Sequence, residues 1–359
     1  MRGRYVRRVR VLGMQRREWN AGTAGVPRRA RWAVMAAFCA VPCVGLSGDG
    51  FPVVMAGAQP CVRLADLART YGLRASSPQP ERLDLLSPFH AMRFEEGNRR
   101  VSLMDVVLWL QYPASRVRGR WVIHRADAEN LIDPILRPYR HLRGRGAAVV
   151  VLDAGHGGRD GGAESPYAPI VEKDVALNIA RRVREYLPVG DLVVRLTRED
   201  DEFVELDERS RRAAQWGADI FISIHCNSGP DPAATGIETY ILSKAGLGST
   251  HDTRPVPVVP ARMFPGNHHD AASAVLGFNL QRQLIRETNA QDRGLRHARF
   301  AVLRGAPCAA TLVECGFLSN REDARRLADP GYQDRLACGI ARGIMDYVGA
   351  VRKAEVMLP

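Results

Sequence analysis

No apolar run in this 359-residue chain approaches the roughly 20 residues that a membrane-spanning helix requires. Aromatic residues make up 7%, too few for a surface that stacks successive bases. Nothing repeats at a fixed period, and neither a heptad nor a collagen pattern is present, which excludes solenoids and fibrous folds. Cysteine is sparse and odd in number, with seven residues at 39, 43, 61, 226, 308, 315 and 338. Two of them fall in the N-terminal leader, and the scatter of the rest excludes a disulfide framework. Acidic residues are nearly missing from positions 1–31, where Glu18 stands against ten Arg. Most of the formal net charge of +12 therefore belongs to that leader. The balance on the remaining chain is too small to imply a nucleic-acid partner.

What is present is the composition of a folded protein, 46% hydrophobic and 25% charged, with length for one or two cores plus extensions. Behind the Arg cluster lies an apolar stretch, Ala33 to Leu46, followed by small residues up to Ala58. A positive flank, a short apolar core and small residues make an export signal, with cleavage expected between about residues 47 and 58. Residues 1–58 are thus read as a basic leader with a signal peptide. The mature protein is expected in the periplasm, cell envelope or outside the cell, without a membrane span.

Residues 59–136 predict a small α+β domain. Val62 to Tyr71 has helical spacing and ends at Gly72. Arg82–Leu86, Ala91–Phe94, Val101–Leu103 and Trp121–His124 read as strands, and Ala126–Leu136 as a short helix. This pattern is faintly similar to the N-terminal domain of copper amine oxidases, without a metal motif: His90, His124 and His141 have no ligand-like spacing. Residues 137–146 are polar and basic and are read as a linker. From 147 to 352 strands alternate with helices. The strands fall near 148–153, 192–196, 219–225, 236–242 and 310–314, with a short extended piece at 301–303; the helices fall near 175–187, 206–216, 272–288 and 332–347. This order predicts an α/β domain with a mainly parallel twisted sheet flanked by helices.

Chemistry-bearing residues gather just beyond the predicted strand ends. His156 follows the first strand in a Gly-rich run, Asp153-Ala-Gly-His-Gly-Gly-Arg-Asp-Gly-Gly-Ala163, His225 ends the third, and Glu314 ends a late one. Glu172 opens the first helix. In open α/β sheets, sites form outside the carboxyl ends of the strands. Two imidazoles and one carboxylate make the three-ligand set of catalytic zinc, and a further carboxylate can shuttle the proton. His156, Glu172 and His225 fit the ligands, and Glu314 fits the base. Taken singly, each has a plainer reading: a core histidine, a helix-start carboxylate, a buried ion-pair partner. The glycine run matches neither the dinucleotide fingerprint nor the Lys-containing phosphate loop.

Val151 to Ala163, Glu172 to Ala180, Leu196-Thr-Arg198, Phe221 to Ser228, Asp292 to Arg304 and Leu312 to Asn320 together resemble the zinc-dependent N-acetylmuramoyl-L-alanine amidases of the type-3 amidase family. The resemblance runs from 147 to about 350. It implies one zinc ion on His156, Glu172 and His225, and Glu314 as the catalytic carboxylate. It also implies peptidoglycan as substrate, cut between N-acetylmuramic acid and L-alanine, with a protein activator left open. A zinc peptidase acting on other peptides, or a non-catalytic cell-wall-binding protein, remains the alternative.

Three features depart from the family pattern. Cys226 and Cys315 flank the site residues, and strand alternation turns both into the core behind the site. Residues 247–271 form an insertion whose prolines at 255, 257, 260 and 265 exclude a long helix. It is read as a loop beside the substrate groove, with His251, His268 and His269 as solvated side chains. Gly294 to Arg304 is rich in Arg, which leaves two readings: contact with stem-peptide carboxylates or an exposed face.

Overall fold

The computed structural model describes residues 50–143, 149–188, 190, 192–250 and 260–357. The leader up to residue 49, residues 144–146 of the expected linker, residues 147–148 at the start of the expected α/β domain, and residues 251–259 of the insertion with His251, Pro255 and Pro257 lie outside the described residues.

The N-terminal region opens with a hairpin, β1 (Val53–Ala56) and β2 (Gln59–Arg63), followed by helix α1 (Leu64–Thr70). An antiparallel meander follows: β3 (Arg74–Gln79), β4 (Arg82–Leu86), β5 (Ala91–Glu95), β6 (Arg100–Leu103) and β7 (Val106–Trp109). A second hairpin, β8 (Ser115–Val117) and β9 (Arg120–His124), pairs with β2 to close a four-stranded sheet, β1-β2-β9-β8. Helical turns over 125–136 and Pro138–His141 lead onward.

The second region is α/β. Strand β10 (Val149–Ala154) is an apolar run buried on both faces, as parallel strands between helices are. It is followed by α2 (Glu172–Tyr186), β11 (Val193–Leu196), α3 (Leu206–Gln215), β12 (Ile220–Asn227) and β13 (Ile237–Leu242). Then come α4 (Asp270–Thr288), β14 (Asp292–Ala298), α5 (Ala301–Arg304), β15 (Ala309–Phe317), α6 (Arg321–Leu327) and α7 (Pro330–Met357). In α2, Val175, Ala176, Ile179, Ala180 and Val183 fall at helical spacing on one face and are buried there. Helix α4 stops at Asn289, whose φ of 52° is the left-handed conformation that ends helices. Asn320 caps α6 by accepting from the backbone N–H groups of Glu322 and Asp323.

Strands β11, β10, β12 and β15 run parallel, β13 is antiparallel to β15, and β14 is parallel to β13. Helices α2, α4 and α7 cover one face, and α3 and α5 the other. The sheet continues past β14, because Leu108 of β7 pairs with Leu295 and brings the whole meander into one mixed 11-stranded sheet. Leu108 and Leu295 share an apolar cluster with Ile241, Ala274 and Phe278, so the two regions have a common core. Burying each leucine contributes on the order of 1.5–3 kcal/mol.

Two local expectations change. Residues 301–303 form a helical turn rather than an extended piece, because Val302 and Leu303 pack onto the core beside Ala213 of α3. The Arg-rich segment is not an exposed face. Its first half is strand β14, where Arg296 is 7% exposed and turns inward.

Candidate metal centre

Register sets the site. His225 of β12 pairs with Glu314 of β15, Glu314 with Glu238 of β13, and Glu238 with Gly294 of β14. Directly paired residues project from the same face. Three polar side chains therefore stand in a row at the rim where β10, β12 and β15 end. His156 joins them from the loop after β10, at φ 58°. Glu172 joins from the first turn of α2.

The structure brings His156, Glu172 and His225 together, with one donor atom from each within 4.8 Å of the others. Nε2 of His156 lies 3.1 Å from Oε1 of Glu172, and Nδ1 of His225 lies 2.8 Å from the same oxygen. The two rings meet edge-on, their centroids 4.9 Å apart. Backbone N–H groups of Cys226 and Ala163 donate to the Glu172 carboxylate and fix its plane. Burial alone would raise the Glu172 pKa, but the two imidazoles outweigh it and hold the group well below its ordinary value. Among the described residues, neither Lys nor Arg pairs with Glu172. A buried carboxylate between two imidazoles, without a guanidinium or ammonium partner, fits a divalent cation, and the N,N,O donor set fits zinc. No other group of three potential ligands occurs among the described residues.

Glycine is required at two points. A Cβ on Gly155 would run into the His225 ring, and one on Gly162 would lie 2.6 Å from Oε2 of Glu172 and 2.7 Å from Cδ2 of His156. Glu314 lies beside this cluster. Its Oε2 is buried and has no hydrogen-bond partner. Burial, then the Glu172 and Glu238 carboxylates, push its pKa well above the ordinary carboxylate range. Cys226 and Cys315 are free thiols in the core cluster under α2, α4 and α7, on the face away from His225 and Glu314.

Several supporting residues were not assigned a role from the sequence. Asp160 places Oδ1 2.9 Å from Nδ1 of His156, so a carboxylate stands behind that imidazole. Arg209 is 2% exposed and donates to Asp153, to the Ala154 carbonyl and to the His156 carbonyl. Arg198, also buried, donates to the carbonyls of Ala154, Gly155 and Lys173. Thr197 and Ser223 donate to the Asp153 carboxylate. These groups tie the His156 loop to the sheet. Arg is mostly a surface residue, so two buried arginines carry no compositional signal. Their only trace in the sequence is a polar residue set just past a strand or on the inner face of a helix.

Among the described residues, the remaining histidines do not join the site. Nδ1 of His124 accepts from the Ala126 N–H, and Nε2 of His141 lies 2.6 Å from Asp133. His268 and His269 sit in the 3-10 turn Pro265–His269 before α4.

The fold and donor cluster thus define an α/β protein with a candidate single-metal centre at the carboxyl rim of its parallel strands. Residues 150–346 match the family described as N-acetylmuramoyl-L-alanine amidase, and the chain belongs to that family. It is 32% identical over 199 residues to YqiI of Bacillus subtilis (strain 168), covering 55% of this chain and 84% of that one. It is also 32% identical over 222 residues to N-acetylmuramoyl-L-alanine amidase AmiA of Escherichia coli (strain K12), covering 56% and 76%. Among solved structures, the catalytic domain of CwlV, an N-acetylmuramoyl-L-alanine amidase from Bacillus (Paenibacillus) polymyxa var. colistinus, aligns with 34% identity and a TM-score of 0.48. That alignment covers 56% of this chain and 99% of that one.

Proposed function

We propose that the chain is a peptidoglycan hydrolase. It cleaves the amide between the lactyl group of N-acetylmuramic acid and L-alanine of the stem peptide, using one zinc ion held by His156, Glu172 and His225. The observation that carries this reading is the convergence of three donors within 4.8 Å beside a carboxylate with an unpartnered oxygen. Family membership supports the substrate. When bound, zinc polarises the carbonyl and lowers the pKa of a water to about 7. Asp160 orients the His156 ring, and the Cys226 and Ala163 N–H groups orient Glu172. Glu314 accepts the proton of the attacking water and delivers it to the amide nitrogen as the C–N bond breaks. Its burial and acidic neighbours raise its proton affinity, which strengthens the carboxylate as the base that takes the water's proton.

The same proposal takes residues 1–58 as an export leader, 59–136 as the N-terminal domain, 137–146 as its linker and 147–352 as the catalytic domain, acting in the periplasm or envelope. No helix among the described residues is long and apolar enough to cross a membrane.

Digestion of purified sacculi by the full-length protein, with mass analysis of the products, tests the reading. Free stem peptides with an unblocked L-alanine should appear, disappear with chelator and return with zinc. Cuts within the stem that leave muramoyl-L-alanine intact would establish a peptidase instead. Binding without any cut would establish a wall-binding protein.

A further inference from the structure

Beside Glu314 on the rim stands a second carboxylate that the chemistry above does not use. Glu238 is fully buried and occupies the paired position on β13, on the same face. Three hydrogen bonds and one ion pair engage it. Asn227 donates to Oε1 at 2.8 Å and the Tyr240 hydroxyl donates to Oε1 at 2.9 Å. Arg293 donates to Oε2 at 3.1 Å, and Nε of Arg296 lies 3.3 Å from the same oxygen.

Both arginines are in turn held by the N-terminal region. The Trp109 indole N–H donates to the Arg293 carbonyl at 2.8 Å. The Arg296 guanidinium lies over the Trp109 ring, 4.1 Å from a ring centroid. Next to Trp109, the Val107 N–H donates to Asp292 at 2.8 Å, and a Cβ on Gly294 would strike Val107, so β7 sits against β14 with no slack.

We propose that the N-terminal region is a working part of the catalytic centre. Trp109 holds Arg293 and Arg296 beside Glu238, and Glu238, engaged by these two cations, Asn227 and Tyr240, leaves Glu314 free to face substrate. The physical basis is competition for a hydrogen bond. A carboxylate engaged by three hydrogen bonds and an ion pair has little left to offer the proton that the neighbouring Glu314 carries after taking it from water. If the arginines slip, an oxygen of Glu238 is released. The Glu314 carboxyl, once it carries the water's proton, then turns onto that oxygen of its paired neighbour and away from the site. Trp109, Arg293, Arg296 and Glu238 are positioning residues in this scheme. The inference rests on the reading of Glu314 as proton carrier.

The test compares Trp109→Ala and Trp109→Phe with Leu108→Ala, which alters the same strand on its opposite, core-facing side. Trp109→Ala should lower kcat on sacculi about tenfold, leave KM within roughly twofold and keep a full equivalent of zinc. Trp109→Phe, which keeps a ring under Arg296 and loses the N–H, should fall between it and the wild type. Leu108→Ala should lower the denaturation midpoint while the folded enzyme keeps its kcat. A crystal structure of Trp109→Ala should show Glu314 hydrogen-bonded to Glu238. Wild-type kcat in Trp109→Ala, an equal kcat loss in Leu108→Ala, or an unmoved Glu314 carboxylate would overturn the inference. An inactive wild-type protein would count against the amidase reading alone, and the crystal comparison would still decide this one.

Discussion

Glu172 and Glu314 are both acids near one rim, yet their surroundings drive them apart. Glu172 meets two imidazoles and stays ionised, whereas Glu314 meets burial and two carboxylates. Environments that push paired titratable groups apart are the usual way a site divides labour between ligand and proton carrier. Glu314→Gln should therefore retain its metal by elemental analysis and lose turnover by about two to four orders of magnitude. His225→Ala removes one donor of three and should lose zinc on purification, whereas a full equivalent retained would take His225 out of the ligand set.

At the scale of elements, the His156 loop is held by a buried ion pair, with Nη1 of Arg209 2.8 Å from Oδ1 of Asp153. Burial opposes the charged form of Asp153, but Arg209 and two hydroxyls outweigh it and keep the carboxyl below its ordinary range. Arg209→Ala strands that carboxylate and should cost about 3–5 kcal/mol in urea unfolding. The four candidate groups were legible in the sequence because each lies where an apolar run stops or a helix begins, although β12 and β15 continue beyond His225 and Glu314. Strand β14 was not, since Arg293, Arg296 and His297 interrupt its apolar residues and mimic a surface segment. Arg209 was hidden for a related reason, because an arginine within an otherwise polar helix reads as solvent-facing. Strands β1, β3 and β8 were missed because they are short and largely exposed, so burial imposes no alternation on them.

For the whole molecule, the mixed sheet places ionisable groups deep between regions that the sequence presents as separate. Burial lowers the pKa of His297, on β14, from the ordinary 6.5 to about 4. Between those values the unfolded chain binds a proton that the folded one refuses, so stability is complete above pH 6.5 and falls as pH drops toward 4. The loss across that window should reach about 3 kcal/mol. Urea midpoints measured from pH 7.5 downward should show it, and His297→Leu should flatten the slope.

The β7–β14 seam also governs how the protein can be dissected. A fragment starting at residue 147 would bare the outer backbone of β14, with Leu295 beside it, and nothing to satisfy either. Unpaired strand borders recruit other chains, so such a truncation should elute as dimers or larger species in gel filtration while the intact chain runs smaller. Trimming the protein to its reactive half would thus trade a covered flank for a sticky one.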